Sequence, residues 1–253
     1  MNKTNAARRV LRPALITIAA LSTAAAVQAQ DKLDGQWHGG VSIGGSAASG
    51  NTKSTALTVN ADATRATDID KVTLRGLANY GSSETRNGVK TTTARLFRLD
   101  GRYDYNLTQR VFVFGGGEVE TNEPGGIDSR YNINGGAGYR IIRNDTTSFD
   151  VFGGIGYTST DFVTGRTRSG AELLIGEESS HRISESTSFR QRLVYYPGTS
   201  EIGNRANFDA GLSTSIAGAW TLNTGVAVRY ASKVDPGLKN TDTLLTVGFG
   251  YKY

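Results

Sequence analysis

The chain contains no cysteine, which removes disulfide scaffolds, thiolate zinc sites and cysteine nucleophiles together. It has 4 prolines in 253 residues and its glycines keep no fixed period, so collagen-like and Pro-rich linker chains are excluded. Histidine is scarce, with 2 residues, His38 and His181. Mean hydropathy is −0.33, which rules out a bundle of transmembrane helices, each needing roughly 20 mostly apolar residues. No 3.6-residue apolar periodicity persists beyond Trp37. What the chain does have is glycine: 32 of 253 residues, about 13%, where roughly 7% is usual. The length suits one or two domains and allows a sizeable core.

Residues 1–29 read as an export signal rather than as part of the fold. Lys3, Arg8, Arg9 and Arg12 make a basic start, and an apolar stretch runs from Ala14 to Val27. Val27-Gln28-Ala29 then places small residues where a signal peptidase reads them, with cleavage expected after Ala29. Removing the four basic residues, with no acid among them, leaves 24 basic and 23 acidic groups, a net charge of +1. The sequence pI of about 9.4 belongs largely to the leader, so nucleic-acid binding loses its main support.

From Trp37 onward the chain alternates with a period of two, the strand signal. Near the C-terminus Thr243, Leu245, Val247, Phe249, Tyr251 and Tyr253 share one face, and Asp242, Leu244, Thr246, Gly248, Gly250 and Lys252 the other. Reading this way predicts twelve strands, near 37–48, 54–66, 71–81, 92–105, 109–121, 128–142, 147–158, 166–177, 186–197, 204–216, 219–231 and 241–253. Turn chemistry separates them, at Gly50-Asn51, Asn87-Gly88, Pro124-Gly125-Gly126, Asn144-Asp145, Pro197-Gly198 and Pro236-Gly237.

Face composition separates a soluble sandwich from a membrane barrel, because the barrel turns its apolar face outward. On the apolar parity Arg95 is the one charge expected away from a strand end. The other parity carries Asp62, Arg75, Arg98, Asp100, Arg102, Asp104, Glu118, Glu120, Arg140, Asp150, Glu172, Arg190, Arg192, Asp209, Arg229, Asp242 and Lys252. A basic group facing lipid at mid-membrane costs on the order of 2–4 kcal/mol, and a sheet avoiding that cost segregates its charges in this way. Tyr80, Tyr103, Tyr131, Tyr139, Tyr157, Tyr195, Tyr230, Tyr251 and Tyr253 fall near strand ends on the outward parity, as aromatic girdles require. Inward glycines such as Gly116, Gly136, Gly138, Gly154 and Gly156 relieve crowding inside a curved sheet. The expectation is an all-β antiparallel transmembrane barrel over residues 30–253, with both termini on one side. Segments 81–92, 121–128, 158–165, 197–204 and 231–241 then form the outer loops, and 66–71, 142–147 and 216–219 short inner turns. The polar segment 177–186 reads as a longer inner loop.

Two stretches carry a family resemblance. Trp37-His38-Gly39-Gly40-Val41, running on to Ser49-Gly50-Asn51-Thr52, resembles the opening of the salt-induced outer-membrane proteins, whose domain has no assigned function. The terminal Phe249-Gly250-Tyr251-Lys252-Tyr253 looks like the C-terminal signal by which outer-membrane barrels are recognised for assembly, with Phe249, Tyr251 and Tyr253 carrying it. The resemblance implies a Gram-negative outer-membrane barrel, exported by its signal peptide and expressed in response to salt. Its partners would be outer-membrane lipids, lipopolysaccharide and the barrel-assembly machinery, with the protein itself a monomer; it supplies no substrate.

Candidate chemistry is thin. His38 falls on the lumen face and His181 in the segment 177–186, and no outward serine pairs with either, so the lipid-facing Ser-His-Asn site of an outer-membrane phospholipase is not expected. Glu118 with Glu120, and Asp100 with Asp104 around Arg102, have spacings that would suit acid–base work or calcium, but in a lumen such carboxylates pair with neighbouring arginines. Asp68-Ile69-Asp70 lacks the glycine and distal glutamate of a calcium loop. The glycine runs at 115–117 and 135–138 lie within strands and fail the context of a phosphate loop, and Asn106 and Asn144 read as turn residues. No catalytic residue, cofactor or metal is therefore expected. The candidate site is the lumen charge set: Arg75, Arg98, Asp100, Arg102, Asp104, Glu118, Glu120, Arg140, Asp150, Glu172, Arg190, Arg192, Asp209 and Arg229. The near balance of signs argues against strong ion selectivity. A narrow passive pore, or an envelope-stress barrel, is the expected function; a closed structural or surface-interaction barrel and a lipid-processing enzyme are the alternatives.

Overall fold

Period-two alternation folds here into one closed antiparallel sheet. A computed structural model describes residues 32–49, 54–84 and 90–253; the leader and the turns at Gly50-Asn51 and Asn87-Gly88 lie outside the described residues. Strands β1 (Trp37–Ser49), β2 (Ser54–Ala66), β3 (Asp70–Glu84), β4 (Lys90–Asn106), β5 (Val111–Asn122) and β6 (Ile127–Arg143) form the first half. Strands β7 (Thr147–Phe162), β8 (Thr167–Arg182), β9 (Thr187–Tyr196), β10 (Arg205–Ala217), β11 (Trp220–Ala231) and β12 (Thr241–Lys252) complete it. Each pairs with its sequence neighbours, and β1 closes on β12 through pairs such as Val41 with Tyr251 and Ala47 with Leu245. Beyond the last strand residue, the Tyr253 N–H donates to the Gly39 carbonyl at 3.1 Å and the Tyr253 carbonyl accepts from the Gly39 N–H at 3.2 Å. Closure removes the sheet edge, so backbone groups are satisfied within the wall, which a lipid surrounding demands. Register shifts occur between Gly81 and Ser82, Glu120 and Asn122, Ile127 and Ser129, Arg140 and Ile142, and Ser215 and Ala217. All five lie towards strand ends, where bulges are tolerated at a barrel rim.

The outside is apolar and exposed. Ile133 and Ile155 are each 68% exposed, and Val41, Ile43, Leu57, Leu173, Ile175, Leu245, Val247 and Phe249 are exposed with them. Two aromatic belts border this band. Tyr80, Tyr131, Tyr157, Tyr195 and Tyr230 lie towards the end carrying the β3–β4, β5–β6, β7–β8, β9–β10 and β11–β12 connections. Trp37, Tyr103, Tyr105, Tyr139, Trp220, Tyr251 and Tyr253 lie towards the end carrying both chain termini. These are called the outer and inner ends below. Such an exterior is a membrane surface, since a soluble protein would hide it. Among the described residues no helix is long and apolar enough to cross a membrane; the wall crosses with strands.

Two sequence expectations are corrected here. The segment 177–186 is not a loop: β8 continues to Arg182, paired with β7 and β9, and the connection is the short turn 183–186. Its Ser184 Oγ accepts from the Thr187 N–H at 3.1 Å. This stretch is strand with polar groups on both faces, a pattern that periodicity does not distinguish from a loop. As a result Glu177, Ser179 and His181 point outward, so Arg95 is not the one charge on the outer face away from a strand end. Glu177 accepts from Gln191 Nε2 of β9 at 3.2 and 3.4 Å, which satisfies a carboxylate at the apolar surface with a neutral donor. Arg95 itself pairs with Glu123 at 2.8 Å.

Candidate functional site: a charged lumen with two chambers

Inward parity brings the polar residues of all twelve strands together, and packing divides the interior. One wall is filled. Phe112 and Phe114 of β5, Phe152 of β7, Leu174 of β8, and Val194 and Tyr196 of β9 form a buried apolar plate inside the barrel. Glycines on adjacent strands make room for it. A Cβ on Gly138 would lie 2.1 Å from the Phe112 ring, and one on Gly176 would lie 2.6 Å from that of Phe152. The plate is covered by cations rather than by more apolar groups. The Arg102 guanidinium lies 4.3 Å from the Phe114 ring centre and 4.7 Å from that of Phe152, Arg140 lies 4.8 Å from Phe112, and Arg205 lies 4.6 Å from Tyr196. The negative faces of the rings stabilise a guanidinium held over them.

The remaining interior holds two cavities. The one towards the inner end, of about 410 Å³, is lined by Asp62, Lys71, Arg75, Arg102, Asp104, Arg140, Arg143, Asp150, Glu178, Arg190, Arg192 and Asp209 among its charged residues. The one towards the outer end, of about 110 Å³, is lined by Arg98, Glu120, Arg130, Arg205 and Arg229 with residues of the β11–β12 loop. Leu77, Ala227 and Leu244 line both, so the chambers meet there.

Of the fourteen charges singled out in the sequence, eight line the inner chamber and Arg98, Glu120 and Arg229 the outer one, while Asp100, Glu118 and Glu172 bond to arginines; most are ion-paired, within a strand or between strands. Arg75 Nε donates to Asp100 at 2.9 Å, and Arg98 reaches Glu120 at 3.1 Å and Glu118 at 3.7 Å. Arg102 Nε donates to Asp104 at 2.6 Å, and Arg229 donates to Asp209 at 2.5 Å. Glu172, whose side chain is fully buried, accepts from Arg205 at 2.6 Å, and from Asn132 and Thr158, each at 2.8 Å. Arg140 lies away from these pairs, donating to Asn106 Oδ1 at 2.7 Å, while Asp150 and Arg190 line the inner chamber. Glu118 and Glu120 therefore face arginine and not each other's chemistry.

Lys71, Arg130, Glu178 and Arg205 belong to the same network and were absent from the predicted set. Glu178 stands one residue past the predicted end of its strand. Following Glu172, Leu174 and Gly176 by one more step of two would have found it. Arg130 and Arg205 sit at strand starts, where parity alone does not tell lumen from rim.

One loop reaches across the outer mouth. In the β11–β12 loop Asp235 accepts from Thr164 Oγ1 at 2.6 Å and pairs with Arg166, both of the β7–β8 connection. Beside Asp235, Leu238 reaches Gly126 in the β5–β6 turn, half-way round the barrel, where a Cβ would lie 2.5 Å from its Cδ1. The bonds from Thr164 and Arg166 hold the Asp235 carboxyl below the ordinary aspartate value. At the inner rim His38 Nε2 lies 2.8 Å from Asp34, whose carboxyl is lowered by the Gln36 N–H and by His38.

The outward His181 stacks on Phe189 at 6.2 Å, and its Nδ1 lies 3.4 Å from Thr147 Oγ1. Ser179 shares its face, but the Ser179 hydroxyl is buried and has no hydrogen-bond partner, so no nucleophile–base pair is assembled. No cluster of histidine and carboxylate groups suited to a metal occurs among the described residues. The Asp68–Asp70 turn is closed by Thr67, whose hydroxyl donates to Asp70 Oδ1 at 2.7 Å.

Comparison with known proteins agrees with this architecture. No curated protein matches the chain significantly. Among solved structures, the NanC porin superposes with a TM-score of 0.53 at 10% identity, covering 84% of this chain and 100% of its own. An outer-membrane channel from Pseudomonas putida F1 gives a TM-score of 0.49 at 13% identity, over 88% of this chain and 100% of its own. At such identity the likeness to NanC is one of fold, that of a transmembrane barrel of the outer-membrane type. The family profile described as a protein of unknown function, DUF481, matches residues 41–253, from the first strand to the last residue, and the chain belongs to that family.

Proposed function

We propose that the protein, released from residues 1–29 after Ala29, is a monomeric narrow pore in the outer membrane of a Gram-negative bacterium, of the salt-induced type. The observation that carries this reading is the interior: two charged chambers that meet at Leu77, Ala227 and Leu244 inside a wall with a lipid-facing exterior. Eight strands leave an interior that side chains fill and 16–18 leave a wide channel, so twelve suit a restricted passage. The fold shared with a porin agrees with it. In this reading lipids and lipopolysaccharide contact the apolar band, and Phe249, Tyr251 and Tyr253 present the last strand to the assembly machinery. Paired charges line the passage and none is committed to covalent chemistry.

Liposome swelling tests the reading. Vesicles containing the refolded barrel should swell faster than protein-free vesicles in a small sugar and no faster in a large polysaccharide. Equal rates in a small sugar, from a barrel that still migrates differently before and after boiling, would instead favour a closed structural barrel.

A further inference from the structure

The inner chamber contains more hydrogen-bond donors than acceptors at one spot. Arg102 is 7% exposed, and its Nη1 and Nη2 are buried and donate to no acceptor, although Nε is satisfied by Asp104. Arg192 Nε is in the same condition. Both side chains face Glu178, but only as loose ion pairs: Nη1 of Arg102 lies 3.6 Å and Nε of Arg192 3.4 Å from Oε2, and Lys71 Nζ lies 3.8 Å from Oε1. Glu178 balances this group of cations without completing the hydrogen bonds of the two arginines. A buried guanidinium with open donors is costly, and the fork of Arg102 has the geometry to bind two oxygens of one planar or tetrahedral anion. The Phe114 and Phe152 rings, nearly perpendicular to each other, hold that guanidinium between them, and only Glu178 stands between its buried donors and an incoming anion. The chamber, of about 410 Å³, falls in the range of small-molecule sites, and its lining carries seven basic groups against five acidic ones.

We propose that this chamber is a binding site for a small oxyanion, a carboxylate or a phosphate, held by Arg102 and Arg192 with Lys71 beside them. Glu178 is the competing internal anion that occupies the cations when the solute is absent. The proposal rests on the pore reading and names the class of solute that the pore favours. It also replaces the weak selectivity expected from the total charge balance with a local preference for anions.

Titration calorimetry on the detergent-folded barrel at low ionic strength, with sodium phosphate and sodium glucuronate as probes and glucose as the neutral control, tests it without requiring passage. Wild type should bind at least one anion and not glucose. Arg102→Gln should weaken that binding roughly tenfold or more, whereas Arg110→Gln, an equal charge change in an exposed turn, should not. Glu178→Gln should tighten it. Phosphate alone, glucuronate alone or both binding in this Arg102-dependent way supports the site and sorts the two sources of oxyanion. Binding of neither, or equal loss in Arg102→Gln and Arg110→Gln, overturns it. Should Arg102→Gln fail to fold, Arg192→Gln and Glu178→Gln decide, and binding that Glu178→Gln leaves no tighter contradicts the proposal. A barrel that binds but does not swell vesicles would keep the site and remove the pore.

Discussion

Glu172 shows what a single residue is asked to do in this interior. Its carboxylate is fully buried and takes hydrogen bonds from Arg205, Asn132 and Thr158, joining β6, β7, β8 and β10 around one point. Replacing it with leucine leaves the buried Arg205 without its counter-charge, with Thr158 Oγ1 as its remaining acceptor there. Removing one partner of a buried pair costs about 3–5 kcal/mol, and denaturant unfolding of Glu172→Leu in micelles should show a loss of that size. A loss below about 1 kcal/mol would mean that lumen water takes over the bonds. The identity of Glu172 as a lumen residue was legible from parity alone, as it was for Arg75, Arg98 and Asp209. Its partners were not, because pairing depends on which strands meet in the interior, and a period of two carries no information about that.

At the scale of elements, β8 marks where local pattern stops being enough. Its first half alternates cleanly, whereas 177–182 has polar groups on both faces, so periodicity reads a loop where hydrogen bonding to β7 and β9 imposes strand. All twelve strands were otherwise legible, because lipid outside and charge inside make the alternation strong. The outward Glu177–Gln191 bond between β8 and β9 is the visible consequence. Gln191→Leu should destabilise the barrel by about 1–3 kcal/mol by stranding the carboxylate, and adding Glu177→Leu should recover most of it. A double-mutant cycle in bilayers measures this, and additive losses would mean that the two side chains do not depend on each other.

The β11–β12 loop was expected only as an outer loop, and its reach across the mouth comes from contacts with two other turns. The Asp235 carboxyl lies below its ordinary value, so its contribution is fully present above about pH 4 and is lost as the pH falls through the lower folded value. Amide exchange of residues 232–240 should therefore stay slow from pH 7 down to about pH 5 and, corrected for intrinsic rates, accelerate only in stronger acid. Asp235→Asn should accelerate it at pH 7. Exchange that is equally fast in both proteins at pH 7 would show that the Thr164 and Arg166 contacts do not hold the loop.

The whole molecule combines a wall legible in the sequence with an interior that is not. Sorting by parity gives a lipid-facing band, two aromatic belts and a charged lumen. It does not reveal that Phe112, Phe114 and Phe152 fill one side, nor that the remaining space forms two chambers both lined by Leu77, Ala227 and Leu244. Those features arise from side chains far apart in sequence. In the pore reading this junction, and not the net charge, sets the flow. Single-channel recording in planar bilayers tests this most directly, comparing wild type with Leu77→Ala/Leu244→Ala. Small stepwise openings in the wild type that grow in the double variant are the predicted result. A wild-type barrel that is inserted and folded yet electrically silent, or a double variant with unchanged steps, would contradict it.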